Sequence, residues 1–178
     1  LKLQKQVDFL DDNDQFKLCY TDFNLVDENS NIIRKSCFAN YPDKYPRYFD
    51  LESFVVSTGY MCPPSWLYRI DALPQDGGIT SVDGTFVLFS HFLSASSVHC
   101  LDDITCVYRL LPESASHSKN PHKLIHRHKG LLETKIALIA KYNLSDSLID
   151  NCKRIYYRDV LMLLVFTDNL KELDQYRN

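Results

Sequence analysis

The sequence lacks several features that define whole classes of protein. Its longest uninterrupted apolar run, residues 160–166, is far shorter than the roughly 20 residues of a membrane-spanning helix. It shows no signal peptide, internal repeat or low-complexity segment. The formal net charge is −3, without the basic surplus of proteins that bind nucleic acid through its phosphates. We therefore expect no membrane span and no nucleic-acid partner.

The cysteines show no pattern typical of a metal site or a disulfide framework. There are six of them, with no CxxC pair and no regular spacing. A secreted disulfide scaffold is not expected at this length and density. We predict reduced, mostly buried thiols in a cytoplasmic protein. The six are Cys19, Cys37, Cys62, Cys100, Cys106 and Cys152.

The length of 178 residues suits one domain with a substantial core and is short for two. Apolar periodicity predicts helices over residues 3–10, 50–55 and 82–93, and a strand over residues 16–26 that forms a hairpin with Ile32 and Ile33. Residues 98–101 and 104–110 read as two strands separated by a turn at Asp102 and Asp103. A helix from Pro121 and another capped by Ser145 end the chain. The fold class predicted is α/β with a C-terminal helical pair.

Five segments carry a family resemblance. They read KLQKQVDFL, LCYTDF, SFVVSTGYMCPPSWLYR, VDGTFVLF and YRLLPESASHS, in that order along the chain. Together they resemble the acceptor-side half of bacterial family-two glycosyltransferases, which are inverting enzymes of the GT-A fold. The resemblance implies the C-terminal, acceptor-side part of a GT-A-like mixed sheet with flanking helices. Residues 1–120 would form this part, and residues 121–178 a helical extension packed on it.

The resemblance also implies an activity, the transfer of a sugar from a nucleotide-sugar donor to a saccharide or lipid-linked acceptor. The family's nucleotide-binding half, with its DxD metal site, would precede Leu1, where the chain opens without Met. We therefore expect a piece of a longer enzyme of cell-surface polysaccharide synthesis, inactive when isolated. Asp12, Asn13 and Asp14 spell a DxD motif but follow a helix, which favours a solvated helix-terminal turn.

Asp83 is the candidate catalytic base. Inverting transfer needs a base that takes the proton from the acceptor hydroxyl as this attacks the anomeric carbon. Asp83 occupies the place where the family has an Asp that opens the acceptor-side helix. An ordinary helix N-cap is the alternative interpretation, and the two roles are compatible.

The segment YRLLPESASHS supplies candidate ligands for the donor diphosphate. Arg109 can pair with phosphate oxygens through its guanidinium, and Ser114 and Ser116 can donate hydrogen bonds. The resemblance implies a divalent metal ion, Mn or Mg, held with the missing DxD half, and makes His117 a candidate ligand. The alternative for Arg109 is a surface residue at the end of a strand. The alternative for His117 is an exposed loop histidine without a ligand role.

Two aromatic residues are candidates for acceptor binding. Trp66 and Tyr68 follow Pro63 and Pro64, and their rings could form a platform for a sugar. The alternative for Trp66 is a core anchor. Cys62 has no histidine partner in the sequence pattern and is interpreted as a packing residue.

Four histidines support a rival function of another class, a non-enzymatic metal-binding or protein-interaction module. His122 and His126 share one helical face at a spacing that can bind zinc. Lys123, Arg127 and Lys129 make the same stretch basic, which favours a solvated face that could approach an anionic membrane surface. The full set is His117, His122, His126 and His128. A helical regulatory domain without a ligand is a third alternative.

Two further expectations follow from the resemblance. An exposed sheet edge, where the missing half belongs, would favour a homodimer or the addition of a strand. The enzyme would work in the cytoplasm, with peripheral contact to the inner membrane face.

Overall fold

The computed structural model describes residues 1–57, 62–75, 78–112, 118 and 120–167. The chain forms two compact units, one comprising Leu1–Gly78 and Gly84–Leu111, the other Ile79–Asp83 and Pro112–Asn178. In the described residues the architecture is α/β, with a mixed, open four-stranded sheet and six α-helices. This confirms the α/β class and the mixed sheet that the sequence predicted.

The sheet of the first unit is built around one buried strand, β1 (Leu18–Val26). The short strands β2 (Ile32–Arg34) and β3 (Leu67–Tyr68) pair antiparallel with opposite ends of β1. The fourth strand, β4 (Val98–Arg109), pairs with β1 in parallel. Almost every residue of β1 is buried, as its nearly continuous apolar sequence predicts for a central strand. The predicted hairpin of β1 and β2 is confirmed.

The prediction of two strands separated by a turn at Asp102 and Asp103 is wrong. Strand β4 runs without interruption through both residues. Thr21 is paired with Leu101 and Asp22 with Ile104, so the two aspartates are extra residues in a bulge. Consecutive acidic residues are depleted in strands, but a bulge at an exposed position accommodates them.

Four helices belong to the first unit: α1 (Lys2–Asp12), α2 (Cys37–Asn40), α3 (Leu51–Ser57) and α4 (Gly84–Ser94). The sequence predicted α1, α3 and α4, whereas α2 was missed because it has a single turn. Aromatic rings form the core: Phe89 lies 5.0 Å from Phe54 and 5.8 Å from Tyr20, centroid to centroid. Each ring is nearly or fully buried, which stabilises the fold by about 1.5–3 kcal/mol per side chain.

The second unit contains the predicted helical pair, α5 (Pro121–Lys141) and α6 (Ser147–Phe166). The side chain of Asn120 caps α5 by accepting hydrogen bonds from two backbone N–H groups. Ser145 lies one residue before the N-cap position of α6, and its hydroxyl accepts a hydrogen bond from the Ser147 N–H over 3.4 Å, so the predicted capping contact is present. Asp146 occupies the N-cap position, and the Ser145 hydroxyl lies 2.8 Å from that of Ser147. The pair shares an apolar cluster of Ile125, Tyr156, Val160 and Leu164.

All six cysteines are free thiols, and five of them are buried, Cys106 being partly exposed. Among the residues that the structure describes, no helix combines the length and the apolar character needed to cross a bilayer.

Candidate functional site

The carboxylate of Asp83, the candidate base, is held by an arginine of the same unit. Arg127 on α5 donates a hydrogen bond from Nη2 to Asp83 Oδ2 over 3.1 Å. Both side chains are about a quarter exposed, at 25% for Asp83 and 26% for Arg127. This partial burial makes the ion pair more strongly coupled than one in open solvent, while solvent still reaches the carboxylate.

The backbone beside Asp83 is fixed to the same helix. The hydroxyl of Ser81 accepts a hydrogen bond from the Asp83 N–H over 3.0 Å and another from the Thr134 hydroxyl over 2.9 Å. Between these contacts Val82 lies directly over Gly130, where a Cβ atom would stand 2.5 Å from Val82 Cγ1. Gly130 is therefore what allows residues 81–83 to lie so close to α5.

Arg109, the candidate diphosphate ligand, is engaged with a turn. It ends β4, and its Nη1 lies 3.2 Å from the carbonyl oxygen of Asp27, 3.1 Å from that of Glu28 and 3.0 Å from Ser30 Oγ. These contacts tie the end of β4 to the β1–β2 turn. The side chain is exposed, so its use for a phosphate stays a prediction beside this structural role.

The two candidate acceptor-binding rings pack against α4. The Trp66 ring lies 5.2 Å from that of Phe89, and the Tyr68 ring 5.7 Å from that of Phe92. Trp66 is half-buried, as a core anchor would be, whereas 38% of Tyr68 is exposed. The indole N–H of Trp66 is buried and has no hydrogen-bond partner among the residues that the structure describes.

The structure does not bring Arg109 and Tyr68 together. Arg109 is in register with Val26, and Tyr68 with Leu18, so the two lie at opposite ends of β1. At the usual rise of a strand this separates their backbones by roughly 26 Å. A site that used both would have to extend along the whole strand.

The metal predictions receive no support from the described residues. Ser114, Ser116 and His117 lie outside the described residues, so their assignments stay predictions. In the described part of the chain, no group of three or more His, Cys, Asp or Glu residues is placed to hold a metal ion. The described residues therefore do not by themselves form a shell for Mn or Mg. Asp12 ends α1 and Asn13 follows as its C-cap, which confirms a helix-terminal turn there.

The histidines of α5 divide between two environments. His122 and His126 are exposed, together with Lys123 and Lys129. His128 is half-buried, with Nδ1 3.8 Å from Asp159 Oδ2, and burial lowers its pKa below the ordinary histidine value. The solvated basic face that the sequence predicted is therefore real except at Arg127, which turns to Asp83.

Asp22 is a buried carboxylate to which the sequence assigned no role. Only 5% of it is exposed, and its Oδ1 accepts hydrogen bonds from the N–H groups of Phe23 (2.7 Å) and Phe38 (2.9 Å). Its Oδ2 accepts from the hydroxyl of Ser36 over 2.7 Å. The signal was present in LCYTDF, because a charged residue inside an apolar strand needs compensating partners. The hydrogen bonds that Asp22 accepts from Ser36 and Phe38 also hold the first turn of α2 in place.

Comparison with protein-family models, with curated proteins and with solved structures found no significant match to this chain.

Proposed function

We propose that this chain is the acceptor-binding, base-bearing part of an inverting, sugar-nucleotide-dependent glycosyltransferase with a GT-A-like fold. The order of five sequence segments supports the proposal, as does the α/β architecture with its mixed, open sheet. The observation that carries it is the placement of Asp83. A partly exposed carboxylate is fixed by Arg127, and its backbone is fixed by Ser81.

The proposed chemistry needs such a carboxylate. The acceptor oxygen attacks the anomeric carbon, Asp83 takes the hydroxyl proton, and the nucleoside diphosphate departs with the electrons of the broken C–O bond. Because a base must sit within hydrogen-bond reach of the proton it removes, holding the carboxylate in one place lowers the cost of reaching that geometry. Arg127 is then a positioning residue for Asp83. Arg109, Ser114 and Ser116 would supply charge and hydrogen bonds to the departing diphosphate.

The test is a transfer assay on the natural polypeptide that contains this chain, because the proposal expects the chain alone to be inactive. Nucleoside diphosphate release is measured with a panel of sugar nucleotides and saccharide acceptors. Asp83→Asn should lower kcat by roughly 10²–10⁴-fold, the usual contribution of a general base. Asp150→Asn, which removes an exposed carboxylate of α6, is the matched control and should leave kcat unchanged.

Two outcomes would refute this proposal. The first is the absence of transfer with every donor, and the second is full activity of the folded Asp83→Asn variant. Arg127→Lys separates a positioning role from a structural one, because a lysine keeps the charge but lacks the planar fork. It should lower kcat and shift the pH profile of kcat while leaving the far-UV circular dichroism unchanged.

The proposal extends to partners and location. A nucleotide-sugar donor and a saccharide or lipid-linked acceptor are its substrates, on the cytoplasmic side of the inner membrane. The exposed cations Lys123 and Lys129 of α5 support peripheral contact with an anionic surface. Sedimentation with anionic vesicles should deplete the protein from solution, zwitterionic vesicles should not, and Lys123→Glu with Lys129→Glu should abolish the depletion.

Self-association at the sheet edge is the last part of the proposal. Within the described residues β4 pairs with β1 alone, and its Ile104 and Val107 side chains are 48% and 53% exposed. An edge strand of this kind can pair with another strand. Sedimentation velocity should show a concentration-dependent homodimer, and a monomer at every concentration would exclude it.

A further inference from the structure

Two cysteines from distant parts of the first unit lie with their sulfurs in contact. Cys62 Sγ is 3.3 Å from Cys106 Sγ, although the residues are 44 positions apart in the chain. This separation is slightly below the sum of two sulfur radii, whereas a disulfide bond measures about 2.05 Å. The contact is therefore between two thiols that need only a small movement to bond.

The backbone on both sides of the contact is fixed. The carbonyl oxygen of Cys62 accepts hydrogen bonds from the Ser65 N–H over 2.8 Å and from the Ser65 hydroxyl over 2.7 Å. Cys106 is a residue of β4 and is in register with Phe23 of β1. The fold therefore holds the two sulfurs in contact.

The two thiols differ in access and in acidity. Cys62 is fully buried, whereas Cys106 is partly exposed. The hydrogen bond between them raises the pKa of Cys62 and lowers that of Cys106, and the nearby Lys2 favours the thiolate of Cys106 as well. Since the thiolate is the nucleophile, Cys106 is the thiol that an oxidant would meet first, with Cys62 as a protonated neighbour.

We propose that Cys62 and Cys106 form an oxidative modification site, at which a peroxide converts the two thiols into an intrachain disulfide. The Cys106 thiolate attacks one oxygen of hydrogen peroxide, the O–O bond breaks, and the products are a sulfenic acid on Cys106 and hydroxide. Cys62, having given its proton to that hydroxide, attacks the Cys106 sulfur. The S–O bond breaks, and the departing hydroxide takes a proton to leave as water. In sum, two thiols and one peroxide give one disulfide and two waters, with each sulfur oxidised by one electron.

The other cysteines have different surroundings. Cys19 Sγ lies 3.8 Å from the carbonyl oxygen of Gln6, and Cys100 Sγ lies 3.6 Å from that of Leu101. Burial raises the pKa of both thiols to about 11. They should therefore stay reduced under the conditions that oxidise Cys106.

The experiment oxidises the reduced chain with a small excess of hydrogen peroxide and then labels the remaining thiols in denaturant with N-ethylmaleimide. Intact mass should show two fewer labels on the six cysteines, and peptide mapping should find Cys62 joined to Cys106. This pair should form at least about tenfold faster in the native chain than in urea, because the fold holds the sulfurs together. Equal rates, six labels, or a cross-link that involves Cys19, Cys37 or Cys100 would overturn the proposal.

Serine variants test the order of the steps. Cys62→Ser should prevent the cross-link and leave a sulfenic acid on Cys106 that dimedone traps. Cys106→Ser should leave Cys62 unmodified, and Cys152→Ser, in the helical pair, should oxidise like the unmodified chain. A sulfenic acid on Cys62 rather than on Cys106 would reverse the assignment. The peptide map of the unmodified chain decides the proposal even if a variant fails to fold.

Discussion

Replacing Asp22 tests how much of the first unit depends on one buried carboxylate. In Asp22→Asn the amide oxygen can take the place of Oδ1 and accept from Phe23 and Phe38. The amide nitrogen then replaces Oδ2, which accepts from the Ser36 hydroxyl over 2.7 Å and from the Ala39 N–H over 3.4 Å. Ser36 can rotate its hydroxyl to accept instead, but the Ala39 N–H loses its acceptor.

The magnitude follows from the hydrogen bonds that change. Bonds to a charged group contribute about 1.5–3 kcal/mol each and neutral ones about 1 kcal/mol, so loss of the charge weakens every bond that remains. With one donor left without an acceptor, Asp22→Asn should lower the free energy of unfolding by about 3 kcal/mol. Asp22→Ala removes all the acceptors and should cost more than about 4 kcal/mol, a loss at the upper end for single substitutions.

The assay is urea unfolding followed by the fluorescence of the single tryptophan, Trp66, which lies in the first unit. With a slope of about 1–3 kcal/mol per molar urea, Asp22→Asn should lower the midpoint by roughly 1–3 M. Asp27→Asn is the matched control: Asp27 also accepts from backbone N–H groups, at Asn29 and Asn31, but it is only half-buried. Its midpoint should move far less, and equal shifts for the two variants would refute the argument from burial.

Three further predictions concern other parts of the chain. Burial, aided by the charge of a neighbouring arginine, lowers the pKa of His99 in the folded chain from its ordinary value of 6.5. Below about pH 6.5 the unfolded chain therefore binds more protons than the folded chain. Stability from urea unfolding should therefore fall as the pH drops through that range, and less so in His99→Phe. Gly130→Ala should lower the midpoint of thermal unfolding, followed by circular dichroism, because the new Cβ atom clashes with Val82. In a Val82→Ala background the clash is relieved, and the same change should raise the midpoint because alanine has a higher helix propensity than glycine. Oxidation of Cys62 and Cys106 closes a loop of 44 residues and should raise the free energy of unfolding by about 4 kcal/mol, seen as a higher urea midpoint. For each of these three predictions, a midpoint that does not change would contradict that prediction.

The elements that the sequence predicted well are those determined by local periodicity. The apolar run of β1 and the amphipathic pattern of α5 need no distant residue to be recognised. The bulge in β4 could not be recognised in this way, because Asp102 and Asp103 satisfy every local criterion for a turn. Their charges are balanced by contacts from far along the chain, Asp103 with Lys5 and Asp102 with Arg47.

The same reason limits what the sequence says about the candidate site. The resemblance selected Asp83 and gave it a role, but its partner Arg127 lies 44 positions away in a run that reads as a solvated basic face. Nothing in the spacing of Lys123, Arg127 and Lys129 indicates which of them turns inward. The choice depends on where residues 81–83 lie against α5, which the sequence pattern does not encode.

Gly130 connects these observations. A glycine inside a helix costs about 1 kcal/mol relative to alanine, so its presence in the middle of α5 needs a compensating gain. The gain is the close approach of Val82, because a Cβ atom at position 130 would stand 2.5 Å from Val82 Cγ1. That approach in turn brings Ser81 within 2.9 Å of Thr134 and Asp83 within 3.1 Å of Arg127. The position of the candidate base is thus set by a residue without a side chain, and for this reason substitutions at Gly130 should affect Asp83 before they affect the helix.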